Sequence, residues 1–152
     1  MRKAITIISA IVVVLCFLII RDYNNYFYGR SLINYHILPY ELTPDYYKHY
    51  EIEEDKKVSV ENFSFITNCS EFVGPPNSIP MNSPSTFTID TIKCYYYNDD
   101  SIFVLCVDTE NKMHWIKPNR EKDGCVVFNE IKNLRMNDLS KYKRVSGFYD
   151  GK

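Results

Sequence analysis

The chain has 152 residues and a formal net charge of −1. All 19 acidic residues follow position 21, against 18 − 3 = 15 basic ones once Arg2, Lys3 and Arg21 are set apart, so residues 22–152 carry 15 − 19 = −4. A body of that length supports one domain with its own core, and its negative balance argues against nucleic acid as a partner, because neutralising phosphates needs a basic surface.

The N-terminus reads MRKAITIISAIVVVLCFLIIRDYNNYFYG, and Ala4 to Ile20 is uncharged, with only Thr6 and Ser9 polar. A helix of this stretch is about 25 Å long, near the shortest that spans a hydrocarbon core. The charged heads of Lys3 and Arg21 can reach back to the two interfaces and close the gap. Tyr23, Tyr26, Phe27 and Tyr28 follow, residue types that favour the headgroup layer. A cleaved signal peptide needs small residues before the cut, and none lies between Phe17 and Tyr28. A lipoprotein signal would place Cys16 after a small residue, yet Leu15 precedes it. Residues 1–21 therefore read as an uncleaved signal anchor, its membrane-embedded part running from Ala4 to Ile20. Positive charge before the run puts the N-terminus in the cytoplasm and residues 22–152 outside, in a periplasm or at a cell exterior.

Residues 22–42 read as a juxtamembrane connector and 43–152 as an extracytoplasmic α+β domain. Thr43-Pro44-Asp45 is a helix-start signal, which predicts a short helix from Pro44 to about Ile52. Val58 to Val73 alternates first, then matches a helical face, so a strand followed by one or two helical turns is expected. Gly74 to Ser85, GPPNSIPMNSPS, reads as a structured loop, because its prolines exclude helix and central strand. From Phe87 the β signal is strong: FTIDTIKCYYY, SIFVLCVD, MHWIK and CVVF are separated by short polar connections. These predict an antiparallel meander, four to five strands for the domain, flanked by short helices. Ile102 to Val107 should be central and covered on both faces. A helix is expected over roughly Asn129 to Arg144, and residues from Ser146 onward should fray. The acidic run Glu41 to Asp55 and the more basic stretch after Glu130 read as solvated faces.

Cys69, Cys94, Cys106 and Cys125 lie outside the anchor, where disulfides can persist. A three-residue hairpin loop puts Cys94 opposite Cys106, within disulfide reach. A two-residue loop puts Cys94 opposite Leu105 instead. Cys94–Cys106 is the candidate disulfide, with buried free thiols as the alternative reading, and Cys69–Cys125 is a second possible pair.

Catalytic signals are sparse. There is no H-E-x-x-H, G-x-S-x-G, S-x-x-K or phosphate-cradling glycine loop. No cofactor or metal is implied, since C-x-x-C is absent too. His114 in MHWIK reads as a half-exposed strand residue, and Cys125 as the start of an apolar strand rather than a nucleophile. The expectation is a non-enzymatic binding domain anchored in the lipid bilayer and meeting a protein partner in the cell envelope, as an immunity-type inhibitor or a scaffold. An envelope enzyme acting on a wall polymer or glycan, and an accessory subunit of a membrane complex, are the alternatives.

Overall fold

A computed structural model describes residues 2–53, 56–69, 71–80 and 86–148. One helix, α1 (Arg2–Tyr26), precedes a β domain. In α1 the apolar side chains from Ile5 to Ile20 are exposed all round, as a helix with no polar face must be outside a protein core. It is long and apolar enough to cross a membrane.

The domain contains nine strands among the described residues, more than the four to five expected. β1 (Thr43–Glu53), β2 (Lys56–Ile66) and β3 (Phe72–Val73) form one antiparallel sheet in that order. The second sheet runs β4 (Ser78–Pro80), β5 (Thr86–Tyr97), β6 (Ile102–Asp108), β7 (Met113–Arg120) and β8 (Val126–Glu130), again in chain order. β9 (Lys143–Ser146) returns to pair with Cys94–Tyr97 of β5, whereas β4 pairs with Thr86–Thr88. The long β5 thus carries two short strands end to end, and the sheet curls until β4 approaches β8.

The meander β5–β8 is the part that alternation predicts. Elsewhere the expected helices are strands. Pro44–Ile52 lies in β1, because Lys56–Ile66 offers an eleven-residue antiparallel partner whose ladder outweighs a local start signal. Asn129–Arg144 contains the end of β8, a 3-10 turn at Met136–Leu139 and the start of β9. Among the described residues the helical turns expected before Val73 are likewise absent, and the strand through Phe63 and Phe65 continues to Ile66. Part of the 74–85 loop is β4; positions 81–85 lie outside the described residues, as does the tail from 149 on. β6 is central, but no helix among the described residues covers it. Ile102, Val104 and Cys106 face the core while Phe103 and Leu105 are half-covered on the other side, Phe103 meeting Tyr142 edge-on.

The core is aromatic. Phe63, Tyr95 and Phe148 form a nearly parallel trio, with centroids 3.8 Å apart for Phe63–Phe148, 5.8 Å for Tyr95–Phe148 and 6.0 Å for Phe63–Tyr95, and Phe65 packs edge-on to Phe63 and Tyr95. Such offset and edge contacts each add about 0.5–1.5 kcal/mol beyond the burial of the rings themselves.

Candidate functional site

The most heavily built feature is the joint between α1 and the domain. Tyr26 lies on the last turn of α1 and is only 1% exposed, buried in the domain core. Its hydroxyl donates to the Leu42 carbonyl at 3.2 Å and accepts the Ile37 amide at 3.2 Å. The buried hydroxyl is therefore satisfied from both sides by the connector. The Tyr95 hydroxyl donates to the Phe27 carbonyl at 2.6 Å, capping an otherwise orphaned group at the helix C-terminus. Phe27 stacks on Tyr97 with centroids 5.3 Å apart, and burial pushes the Tyr97 phenol up to about 12. Four aromatics were expected in the headgroup layer. Of these, Tyr26 is instead a core residue, Phe27 and Tyr28 are half-buried against that core, and Tyr23 remains 43% exposed. Aromatic preference for an interface and for a protein core draws on the same amphipathic ring, so composition cannot separate the two.

The connector folds back along α1. Gly29 makes this possible: its φ is +67°, and a Cβ there would stand 2.5 Å from the backbone of Asp45 and Tyr46. Its carbonyl accepts the Tyr46 amide at 3.1 Å. Arg30 then reaches over the Tyr46 ring at 4.3 Å and donates to the Phe148 carbonyl at 2.8 Å. Leu38 and Leu42 from the connector are buried in the core. Asp22 on α1 accepts the Leu32 amide at 2.8 Å, the Ile33 amide at 3.3 Å and the Tyr35 hydroxyl at 2.9 Å.

The cysteines correct the candidate disulfide. Cys69 and Cys125 are bonded, with Cα atoms 5.7 Å apart, whereas Cys94 and Cys106 are free and buried. The hairpin closes on Asp99-Asp100, with the Asn98 amide on the Ser101 carbonyl, so Cys94 pairs with Leu105. A bulge between Ile92 and Cys94 then sets Ile92, not Cys94, opposite Cys106. One residue of register decides the matter. Asn68 reinforces the observed bond: it donates to the Gly124 carbonyl at 3.1 Å and accepts the Val126 amide at 3.2 Å, tying the end of β2 to the start of β8.

The third feature escaped sequence reasoning. His114 on β7 sits between Asp108, at the end of β6, and Glu130, at the end of β8. Its Nε2 is 2.8 Å from Asp108 and its Nδ1 is 2.9 Å from Glu130. The Phe87 ring stacks on it, 3.9 Å between centroids. All three side chains are about nine-tenths buried, so His114 is not the half-exposed residue expected. With a carboxylate at each nitrogen, the imidazolium donates twice. Burial opposes its charge, but the bonds to Glu130 and Asp108 outweigh that and raise His114 above its ordinary value. Burial works against the Asp108 charge too. The Lys112 amide, His114 and the Glu110 amide nevertheless hold it below the usual carboxylate range. Glu130 Oε2 is buried with no hydrogen-bond partner among the described residues. The available signal is weak: Asp108 and His114 flank one turn, but Glu130 falls in the stretch expected to be helical.

No protein-family model, curated protein or solved structure matches the chain. The site must be read from its own chemistry. Cys125 is bonded to Cys69 and offers no free thiol. Cys106 pairs across from His114 in the ladder and donates to its carbonyl at 3.6 Å, but burial pushes the thiol up to about 12. A thiol so protonated is a poor nucleophile. The cluster is a buried charge lock that fixes the ends of β6, β7 and β8. The joint at α1, by contrast, leaves open grooves at the surface, one beside the 30–33 loop and one between Tyr28 and Gly147.

Proposed function

We propose that this protein is a single-pass membrane protein whose β domain lies outside the cytoplasm and binds a protein partner in the cell envelope without catalysing a reaction. The observation that carries this reading is the pairing of two facts about α1. Its apolar side chains from Ile5 to Ile20 are exposed on every face, and its last turn is buried in the domain through Tyr26. A lipid environment removes the cost of the first fact, at about 25 cal/mol per Å² of apolar surface. The second makes the helix a permanent part of the fold rather than a detachable leader.

The N-terminal Arg2 and Lys3 support a cytoplasmic N-terminus by the positive-inside tendency. The Cys69–Cys125 bond supports an oxidising space for the domain. Support for binding over catalysis comes from how the reactive groups are engaged, with Cys125 cross-linked and both His114 nitrogens held by carboxylates. The surface offered to a partner is the outer edge of β1. Beyond Tyr46, whose amide is taken by Gly29, no strand pairs with that edge among the described residues. A bare edge is a template for a strand from another chain.

Two measurements test this. The chain should stay with membranes through an alkaline wash, and protease added outside intact cells or spheroplasts should degrade the domain. Recovery in a soluble extract ends the membrane reading. Affinity capture of the full chain in detergent should retain an envelope protein. Tyr50→Pro should release that protein, because the Tyr50 amide shares the register parity of the Tyr46 amide, which points away from β2, and the β1–β2 ladder survives the change. Retention of polymer fragments or small molecules alone overturns the protein-partner reading.

A further inference from the structure

The loop that follows α1 is held in an unusual position. Asp22 takes the amides of Leu32 and Ile33 and the hydroxyl of Tyr35, and the Ser31 hydroxyl donates to the Ile33 carbonyl at 2.8 Å. These bonds fix the loop backbone against the helix and turn its two apolar side chains outward. Leu32 is 96% exposed and Ile33 53% exposed, the only large apolar side chains so exposed in the connector among the described residues. They line a groove with Leu18 and Ile19 of the apolar surface of α1. Between loop and helix runs an open groove of about 540 Å³, with Leu18, Ile19, Arg21 and Asn25 on the helix side and Arg30 and Leu32 on the loop side.

Depth follows from helix geometry. Leu18 is one turn before Asp22, about 6 Å along the axis. The loop is tied at Asp22, so its tip lies within about one turn of the end of the apolar run, which is the thickness of the headgroup layer. The groove changes character along its length, with Leu18, Ile19, Leu32 and Ile33 apolar, Arg21 and Arg30 cationic, and the Asp22 carboxylate, also in the lining, taken up by the Leu32 and Ile33 amides and the Tyr35 hydroxyl. Arg21 has no hydrogen-bond or ion-pair partner among the described residues, although Asp22 is its neighbour, because the Asp22 carboxylate is turned to the loop. Arg30 lies over the Tyr46 ring and spends one nitrogen on the Phe148 carbonyl, and its guanidinium carries five N–H groups in all. An apolar wall leading to two guanidiniums matches one ligand chemistry, acyl chains ending in a phosphate.

We propose that the groove between α1 and the 30–33 loop is a phospholipid site. Leu32 and Ile33 enter the outer leaflet beside Leu18 and Ile19, and the phosphate of an anionic lipid rests against Arg21 and Arg30. This rests on the reading of α1 as a membrane span, and it adds a second, specific contact that sets the domain against the bilayer surface.

The test uses the full chain reconstituted in phosphatidylcholine bilayers with and without phosphatidylglycerol. Alkaline resistance is checked first, because loss of the chain from the bilayer is failure of the span itself and not of this site. Leu32→Trp, at a position with room for the larger ring, should then be quenched by lipids brominated near the headgroup end of their chains. The unaltered chain supplies the Trp115 background. Spin-labelled phosphatidylglycerol should associate with the protein more strongly than spin-labelled phosphatidylcholine, and Arg21→Gln should lower that preference about fivefold, the factor one cation near an anionic surface is worth. An embedded chain whose introduced tryptophan stays unquenched overturns the proposal. So does an unchanged lipid preference in the Arg21 variant, or a preference abolished by millimolar inorganic phosphate, which would make the groove a site for the free anion.

Discussion

Removing the Cys69–Cys125 bond tests how the two sheets are held together. The bond closes a sequence separation of 56 residues. In the chain-entropy treatment a loop of that size costs the unfolded state about 14 cal/mol/K, or about 4 kcal/mol at 25 °C. For a domain of this size about 1 kcal/mol moves the midpoint by roughly 4 °C, so the Cys69→Ser/Cys125→Ser double variant should melt about 15 °C below the parent. The assay is thermal unfolding of the detergent-solubilised chain, followed by Trp115 fluorescence, with and without reductant. Reductant should lower the parent to the level of the double variant and leave the variant itself unmoved. Thiol counting in denaturant without reductant should find 5 − 2 = 3 free cysteines in the parent. A midpoint change under about 4 °C, close to 1 kcal/mol, would show that the Asn68 hydrogen bonds already pin β2 to β8. Five free thiols would show that the bond does not form.

Tyr26→Ala should destabilise the domain by about 3–5 kcal/mol, as loss of a fully buried aromatic does, and Tyr26→Phe by about 1 kcal/mol for the hydroxyl alone; denaturant titration separates them. The His114 cluster makes stability depend on pH in a definite direction. Its pKa is raised by folding, so its contribution is complete below the ordinary 6.5 and is lost as pH rises through the folded value. Asp108 has the opposite sense: its contribution is present above the ordinary 3.8 and lost as pH falls through the folded value. His114→Gln should flatten the alkaline fall in a Tm-against-pH profile, and an unchanged profile would place the pH dependence elsewhere. Cys94 and Cys106 should resist a thiol-alkylating reagent at pH 8 in the folded chain and react only after unfolding. Prompt labelling of Cys106, read by peptide mass spectrometry, would contradict its burial.

The parts of the fold legible in the sequence are those governed by side-chain period alone. The unbroken apolar run of α1, and the alternation through Phe87, Ile89 and Phe128 that names one face of each strand, both appear where expected. Thr43-Pro44-Asp45 misled because capping residues report only local preference, and β1 is decided by a partner strand eleven residues long. The helix expected over Asn129–Arg144 fails for a related reason, since within it Leu139 is buried from a 3-10 turn and the chain then enters the short strand β9. At the cysteines, the two-residue loop and the bulge at Ile92/Cys94 are backbone details that no composition encodes. His114 was read from its strand neighbours, whereas its environment is set by Asp108 and Glu130, which only the closed β6–β7–β8 ladder brings to it. Tyr26 shows the limit most plainly: a tyrosine after an apolar helix has two good solvents, and only the presence of Leu38 and Leu42 beside it selects the protein.

The burial of Tyr26 leaves this molecule without a leash. A flexible stalk of twenty residues would let a domain wander over roughly 25 Å from its tether. Here the last turn of α1 is already inside the domain, so the β1 edge stands at one altitude and one bearing relative to the end of the helix. On the proposed reading, a partner docking there would have to come to that height, and rotation of the helix about its own axis would be the domain's principal freedom to aim.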